Sequence, residues 1–237
     1  MSAGTFEITL NELKIDKGTK ASGGKITNVL AATLFYPSAG RGEVGTIKTI
    51  TIETGTVSFT NSSFENKILF KEKISGNTQI KFKITQTIEL TDMEKFVVKL
   101  LHNVFGAGAK VASEAILAGV TAGIGNVLIG AALNTSIDEL LKKMFDEDYK
   151  QITILGEGSI YLKAANLAGA TTTMEIVLRC PDDIIIATNR QTGGLESFSP
   201  TQAPRDSADN TLYDTAKEVI VNKGDPNGAI AIEITEV

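Results

Sequence analysis

Carboxylates offer the one polar constellation in this chain that could do chemistry. Asp182 and Asp183 fall between two strand-like runs, Asp206, Asp209 and Asp214 in a polar stretch, and Asp225 in a Gly-Asp-Pro-Asn-Gly turn. Loops gathered at one end of a β-structure can converge such groups on calcium, a hard cation that takes about six to eight oxygens. Asp182, Asp183, Asp206 and Asp209 are therefore the candidate ligands. Aspartate is also an ordinary residue of solvated turns, and that simpler reading is preferred. Asp146-Glu147-Asp148 lacks the glycine and the twelfth-position glutamate of an EF-hand loop and reads as the solvated end of a helix.

Nucleophilic chemistry has little to build on. There is one histidine, His102, and one cysteine, Cys180. His102 lies off the apolar stripe defined by Leu100, Leu101 and Val104, as a surface histidine would. Cys180 precedes Pro181 at an apparent strand end, and no spacing joins it to His102. A lone cysteine makes no internal disulfide, and neither a C-x-x-C pair nor a G-x-S-x-G turn occurs. Gly40-Arg41-Gly42-Glu43-Val44-Gly45 matches G-x-G-x-x-G, but that fingerprint needs a helix to follow it, and Thr46–Ile52 reads as a strand. Gly24-Lys25 would end a phosphate loop only with a glycine in place of Thr19 and Ser or Thr in place of Ile26. The expectation is a protein that is not an enzyme and that carries no cofactor. Two Asn-x-Ser/Thr sequons, at Asn61 and Asn134, have meaning only on a secretory route.

The most unusual segment is apolar. Residues 115–137, AILAGVTAGIGNVLIGAALNTSI, are 23 positions without a charge. A membrane-crossing helix needs roughly 20 predominantly apolar residues, so the length suffices. Gly119, Gly123, Gly125 and Gly130 each weaken a helix in water by about 1 kcal/mol relative to alanine. Gly119-x-x-x-Gly123 has the spacing that lets two helices touch closely. Three readings stand: a buried glycine-rich helix of the core, a sheltered element that enters a membrane as in toxins with a concealed helical hairpin, and a surface for self-assembly. Ile116, Leu117, Gly119, Gly123, Ile124, Val127, Leu128 and Ile129 are the residues expected to make the membrane or partner contact.

The elements that would carry these residues fall into three parts. From 5 to 90 the chain reads as strands. Phe6, Ile8 and Leu10 alternate with polar residues, Ile50 and Ile52 with Thr49 and Thr51, and Ile80, Phe82 and Ile84 with Lys81 and Lys83. Period two means one buried face and one wet face, the antiparallel pattern. At Thr91 the period changes. Thr91-x-x-Glu94 and Ser136-x-x-Glu139 are capping boxes, each opening a helix, and the first is followed by the stripe Met93, Phe96, Val97, Leu100, Leu101 and Val104. Residues 91–150 are thus expected to be a helical insertion. After 150 strands return, with Met174, Ile176 and Leu178 alternating and Ile184–Ile186 as a short buried run. Residues 187–215 read as a long polar loop, and Val219–Val221 and Ile230–Ile234 as a hairpin around the turn at 224–228.

The whole chain of 237 residues is then one domain: an α+β, mainly β protein, an antiparallel β-sandwich interrupted by helices. In architecture alone it is similar to the C2-like sandwiches, which are antiparallel and work through end loops; no residue motif carries the likeness. Composition adds exclusions. The net charge of −5 gives no basic footprint for nucleic acid. The first residues show no basic region followed by an apolar core, so the expected location is the cytoplasm, or outside the cell without a standard signal, with membrane association left open. The function expected is non-catalytic: the apolar insertion meets a membrane or inserts in it, in the manner of a pore former. The alternatives are a self-assembling structural subunit, with a homo-oligomer as product, and a calcium-dependent binding module.

Overall fold

In a computed structural model the described residues are 3–19, 27–35, 44–50, 54–87, 126–129, 152–191, 193–198, 200 and 213–237. They form thirteen strands and two one-turn helices. In chain order these are β1 (Ala3–Ile15), β2 (Thr27–Phe35), β3 (Val44–Ile50), β4 (Gly55–Ser58), α1 (Phe64–Lys67), β5 (Ile68–Ser75), β6 (Asn77–Thr87), β7 (Asn126–Ile129), β8 (Ile152–Lys163), α2 (Ala164–Leu167), β9 (Thr172–Arg179), β10 (Ile184–Asn189), β11 (Leu195–Phe198), β12 (Tyr213–Val221) and β13 (Pro226–Glu236).

Every strand pair is antiparallel. Ten strands form a curled sheet in the order β4-β1-β13-β9-β8-β6-β2-β3-β7, with β5 also pairing β1. The other three form a small sheet, β11-β10-β12. Where residues of 5–90 and after 150 are described, the alternating runs are strand; Thr51 and Ile52 lie outside the described residues. The apolar members of these strands line one core: Phe6, Ile8 and Leu10 on β1, Ile80, Phe82 and Ile84 on β6, and Ile230, Ile232 and Ile234 on β13. Each such side chain removed from water contributes about 1.5–3 kcal/mol.

Bulges reset the period where it would otherwise fail. Leu10 and Leu13 are both buried although three residues apart, because the β1–β13 register shifts between Leu10 and Glu12. The extra residue there, Asn11, gives its carbonyl to the Phe59 N–H at 2.7 Å.

Two places need glycine. β8 and β9 share one paired position, Glu157 with Arg179, and β9 crosses close over β8. A Cβ on Gly158 would stand 2.8 Å from the Val177 carbonyl oxygen and 2.8 Å from Ile176 Cγ2. Gly228 has φ +147°, and a Cβ there would run into the Lys14 carbonyl.

Three sequence expectations are corrected. Val219–Val221 and Ile230–Ile234 are not a hairpin: β12 pairs with β10 in the small sheet and β13 with β1 and β9 in the large one. The chain there crosses between sheets alongside the β9–β10 crossing. The two crossings are stitched by Cys180 N–H to Asp225 O at 3.0 Å and Gly224 N–H to Cys180 O at 2.8 Å. The described part of 187–215 is not loop throughout: it holds the end of β10, all of β11 and the start of β12, where Asn189 and Ser197 are buried in hydrogen bonds and so are invisible to hydropathy, while 201–212 lie outside the described residues. Within 91–150, read as helical, residues 126–129 are strand β7. The remainder of that region, with both capping boxes and His102, lies outside the described residues.

Candidate functional site

The candidate site is the β3–β7 margin of the large sheet, where the uncharged run meets the fold. β7 supplies Asn126, Val127, Leu128 and Ile129, paired opposite Lys48, Ile47, Thr46 and Gly45 of β3. β-Branched Val127 and Ile129 between Gly125 and Gly130 suit a short strand. β7 is the last strand in the sheet order. Among the described residues β3 is the one strand it pairs with.

The inner face of β3 is polar where a core strand would be oily. Thr46 and Lys48 are both buried beside Ile50. Each is bound to the segment that leads from α1 into β5. Thr46 donates its hydroxyl to the Leu69 carbonyl. Lys48 Nζ donates to the Asn66 carbonyl at 2.7 Å, at the end of α1, where orphan carbonyls need donors. Lys48 is 0% exposed, and burial pushes its amine down from 10.5 to about 7. Desolvation is the cause of that shift, since a charged ammonium loses its water there.

Of the expected contact residues, Val127, Leu128 and Ile129 lie on β7, a strand and not a helix. Ile116, Leu117, Gly119, Gly123 and Ile124 lie outside the described residues. Among the described residues no helix is long and apolar enough to cross a membrane.

The acidic candidates divide similarly. Asp183 Oδ1 accepts the Lys223 N–H at 2.7 Å, which closes the crossing between sheets. Asp182 is 73% exposed and 3.6 Å from the Lys223 ammonium. Asp206 and Asp209 lie outside the described residues, among which no cluster of His, Cys, Asp and Glu is arranged to hold a metal ion.

Cys180 is buried, and its thiol donates to the Leu155 carbonyl at 3.4 Å. Burial, with the Asp225 carboxylate second, pushes it up to about 11, which disfavours the thiolate a nucleophile needs. The G-x-G-x-x-G stretch falls mostly outside the described residues; its last two positions, Val44 and Gly45, open strand β3.

The outer face of β2, β6 and β8 carries a hollow of about 350 Å³ lined by Ala31, Thr33, Lys81, Lys83, Glu157 and Ser159 among others. Its cations are engaged: Lys83 bridges Glu157 at 3.0 Å, and Lys81 stands 5.6 Å from the Phe35 ring centre. These are cross-strand contacts of a wet sheet face.

Sequence reasoning missed Lys48. Its signal was the β3 period itself: with Ile50 inward, Lys48 and Thr46 must point inward too.

No known protein family, no curated protein and no solved structure matches this chain.

Proposed function

We propose that this protein acts by contact, without catalysis, and that the contact is made between copies of the chain along β7. The observation that carries the reading is the position of β7 at the end of the sheet order among the described residues, inside the longest uncharged run of the sequence. A terminal strand offers a row of backbone N–H and C=O groups to another chain, and native proteins usually blunt such an edge with lysine or proline. Asn-Val-Leu-Ile carries neither. Antiparallel pairing of β7 with its copy across a two-fold axis would use one patch twice, the simplest closed assembly. The curled sheet is read here as two layers of a sandwich. Consecutive strands β5 and β6, joined through Gly76, pair with different neighbours, which supports a crossing between layers.

Sedimentation over a hundredfold range of concentration tests the assembly. The wild type is expected to dimerise, and V127K/I129K to weaken the dimer at least tenfold with unchanged circular dichroism. A wild type that stays monomeric throughout overturns the reading.

Membrane entry is the second reading, favoured by the 23 uncharged positions. A strand across the middle of that run weighs against a single spanning helix of roughly 20 residues. Flotation with vesicles of mixed neutral and anionic lipid, with dye release, distinguishes it: a monomer that floats and releases dye replaces self-assembly with membrane action.

A further inference from the structure

The hollow of about 350 Å³ on the outer face of β2, β6 and β8 is built by strand register. Thr33, Lys81 and Ser159 stand in one row across the three strands, and Ala31, Lys83 and Glu157 in the next. Neighbouring strands lie about 4.8 Å apart and same-face residues of one strand about 6.7 Å apart, so these six side chains frame one small space. Its β2 wall is low, because Ala31 and Thr33 are short and nearly buried. Its β6 wall is tall, with lysines at two successive positions of that face. We propose that this hollow binds a small hydroxylated oxyanion, with its phosphate or carboxylate head on Lys81 and its hydroxyl groups on Thr33 and Ser159.

Charge favours an anion there. The whole chain carries −5, yet Lys81, Lys83 and Glu157 line the hollow, a local excess of one positive charge. Lys83 is not a free donor: it bridges Glu157 at 3.0 Å and acts as a fixed positive wall. Lys81 differs. It is exposed, and its ammonium stands 5.6 Å from the Phe35 ring centre. A ring face attracts the charge without consuming all three N–H donors, so the aromatic contact positions the ammonium and leaves donors for a ligand. The two hydroxyls in the same row can each donate to an oxyanion or accept from a ligand hydroxyl. Neither the Thr33 nor the Ser159 hydroxyl is bonded to another described residue. Size sets the ligand class. Pockets for drug-sized ligands run from about 300 to 1,000 Å³, so this one admits a molecule of a few carbons. Of the described side chains that line it, Ala31 and the buried Phe82 alone are apolar, which suits a hydroxylated ligand better than an oily one.

The test titrates the full nitrogen-15-labelled chain with inorganic phosphate, glycerol phosphate, gluconate and neutral glycerol at constant ionic strength. Saturable amide shifts are expected with the three anions, confined to 31–33, 81–83 and 157–159, and none with glycerol. Tighter binding of glycerol phosphate names a phosphate head; tighter binding of gluconate names a carboxylate head. Lys81→Gln, at an exposed position, should weaken the tighter of the two at least tenfold with unchanged circular dichroism. Glu157→Gln should tighten inorganic phosphate at least threefold, because the hollow loses its carboxylate. That gain cannot come from misfolding, so it decides the matter even if Lys81→Gln unfolds. Lys71→Gln, which removes an exposed lysine paired with Glu7 on β1, should change nothing. Shifts that spread over the surface without saturating, or glycerol that binds as tightly as the anions, overturn the site. So does a folded Lys81→Gln that binds like the wild type, or a Glu157→Gln that binds phosphate no more tightly.

Discussion

Near the end of β6, Gln86 is buried among neutral polar groups; on β3, Lys48 is buried as completely but with a charge to manage. Gln86 Oε1 accepts the Thr19 N–H at 3.0 Å and the Ser197 hydroxyl at 2.7 Å, while its Nε2 donates to Asn28 Oδ1 at 3.2 Å. Since Ser197 spends its proton on Gln86, Thr19 must donate in the 2.9 Å Thr19–Ser197 hydroxyl contact, and it accepts the Ser197 N–H in return. Thr153 closes the set on the Ser197 carbonyl at 2.9 Å. Five residues thereby tie β2, β6, β8 and the small sheet's β11 with matched donors and acceptors. Such a network rigidifies and is indifferent to pH. Lys48 is a strong donor to the Asn66 carbonyl in a site that penalises its charged form. A protein built only for stability would place methionine there. The contrast is between a network of matched neutral groups and one buried amine whose charged form is penalised.

Stability against pH should separate them most widely. The Lys48 amine titrates near 7 folded and near 10.5 unfolded. Between those values the unfolded chain binds the extra proton, so stability falls as pH drops from 10.5 to 7. Below 7 both states are protonated and the loss is complete. The shift corresponds to about 5 kcal/mol over the full window. Urea unfolding from pH 7 to pH 9 should show at least about 2 kcal/mol of this rise in the wild type. Lys48→Met should remove it and be the more stable protein at pH 7. A wild type with the same slope as Lys48→Met would erase the distinction.

Gln86→Leu should give the next largest effect. It removes the acceptor of the Thr19 N–H and of the Ser197 hydroxyl, and the donor to Asn28 Oδ1, in a dry site, at a cost of about 2–4 kcal/mol. The loss should be equal at pH 6 and pH 9. It should also raise hydrogen exchange in β11, because Ser197 is a tie from the small sheet to the large one. A pH-dependent loss, or β11 protection unchanged, would show that the network is not the join between sheets.

The residues explain which parts of this were legible. Strands β1, β6, β9 and β13 announce themselves through period two, because their inward positions are apolar. β11 does not, since Leu195-Glu196-Ser197-Phe198 buries its serine in hydrogen bonds. The beginning of β12 is hidden similarly: Tyr213 is buried, but its hydroxyl donates to Glu196 Oε2 at 2.7 Å. β7 was masked by glycines that suggested a helix interface, although its β-branched residues between two glycines pointed to a strand. The period that names Ile80, Phe82 and Ile84 runs on to Gln86, and the one that names Ile50 runs back to Lys48. Both polar sites were thus placed by registers whose chemistry hydropathy alone does not read.

Thr78 supplies the smallest effect and a control for both sites. Its side chain is wholly inaccessible on β6, and its hydroxyl is the one buried side-chain polar atom without a partner among the described residues. It is neither networked like Gln86 nor ionisable like Lys48. Replacing the hydroxyl with a methyl group keeps the β-branched shape and removes an unmet desolvation cost. Thr78→Val should therefore stabilise the fold by about 1 kcal/mol, with no change in pH slope or in exchange at β11. Thermal unfolding at pH 7 and pH 9 measures both quantities. A destabilised Thr78→Val would mean that the hydroxyl has a partner after all, and that burial of an unpaired polar group is not tolerated even at one position of this core.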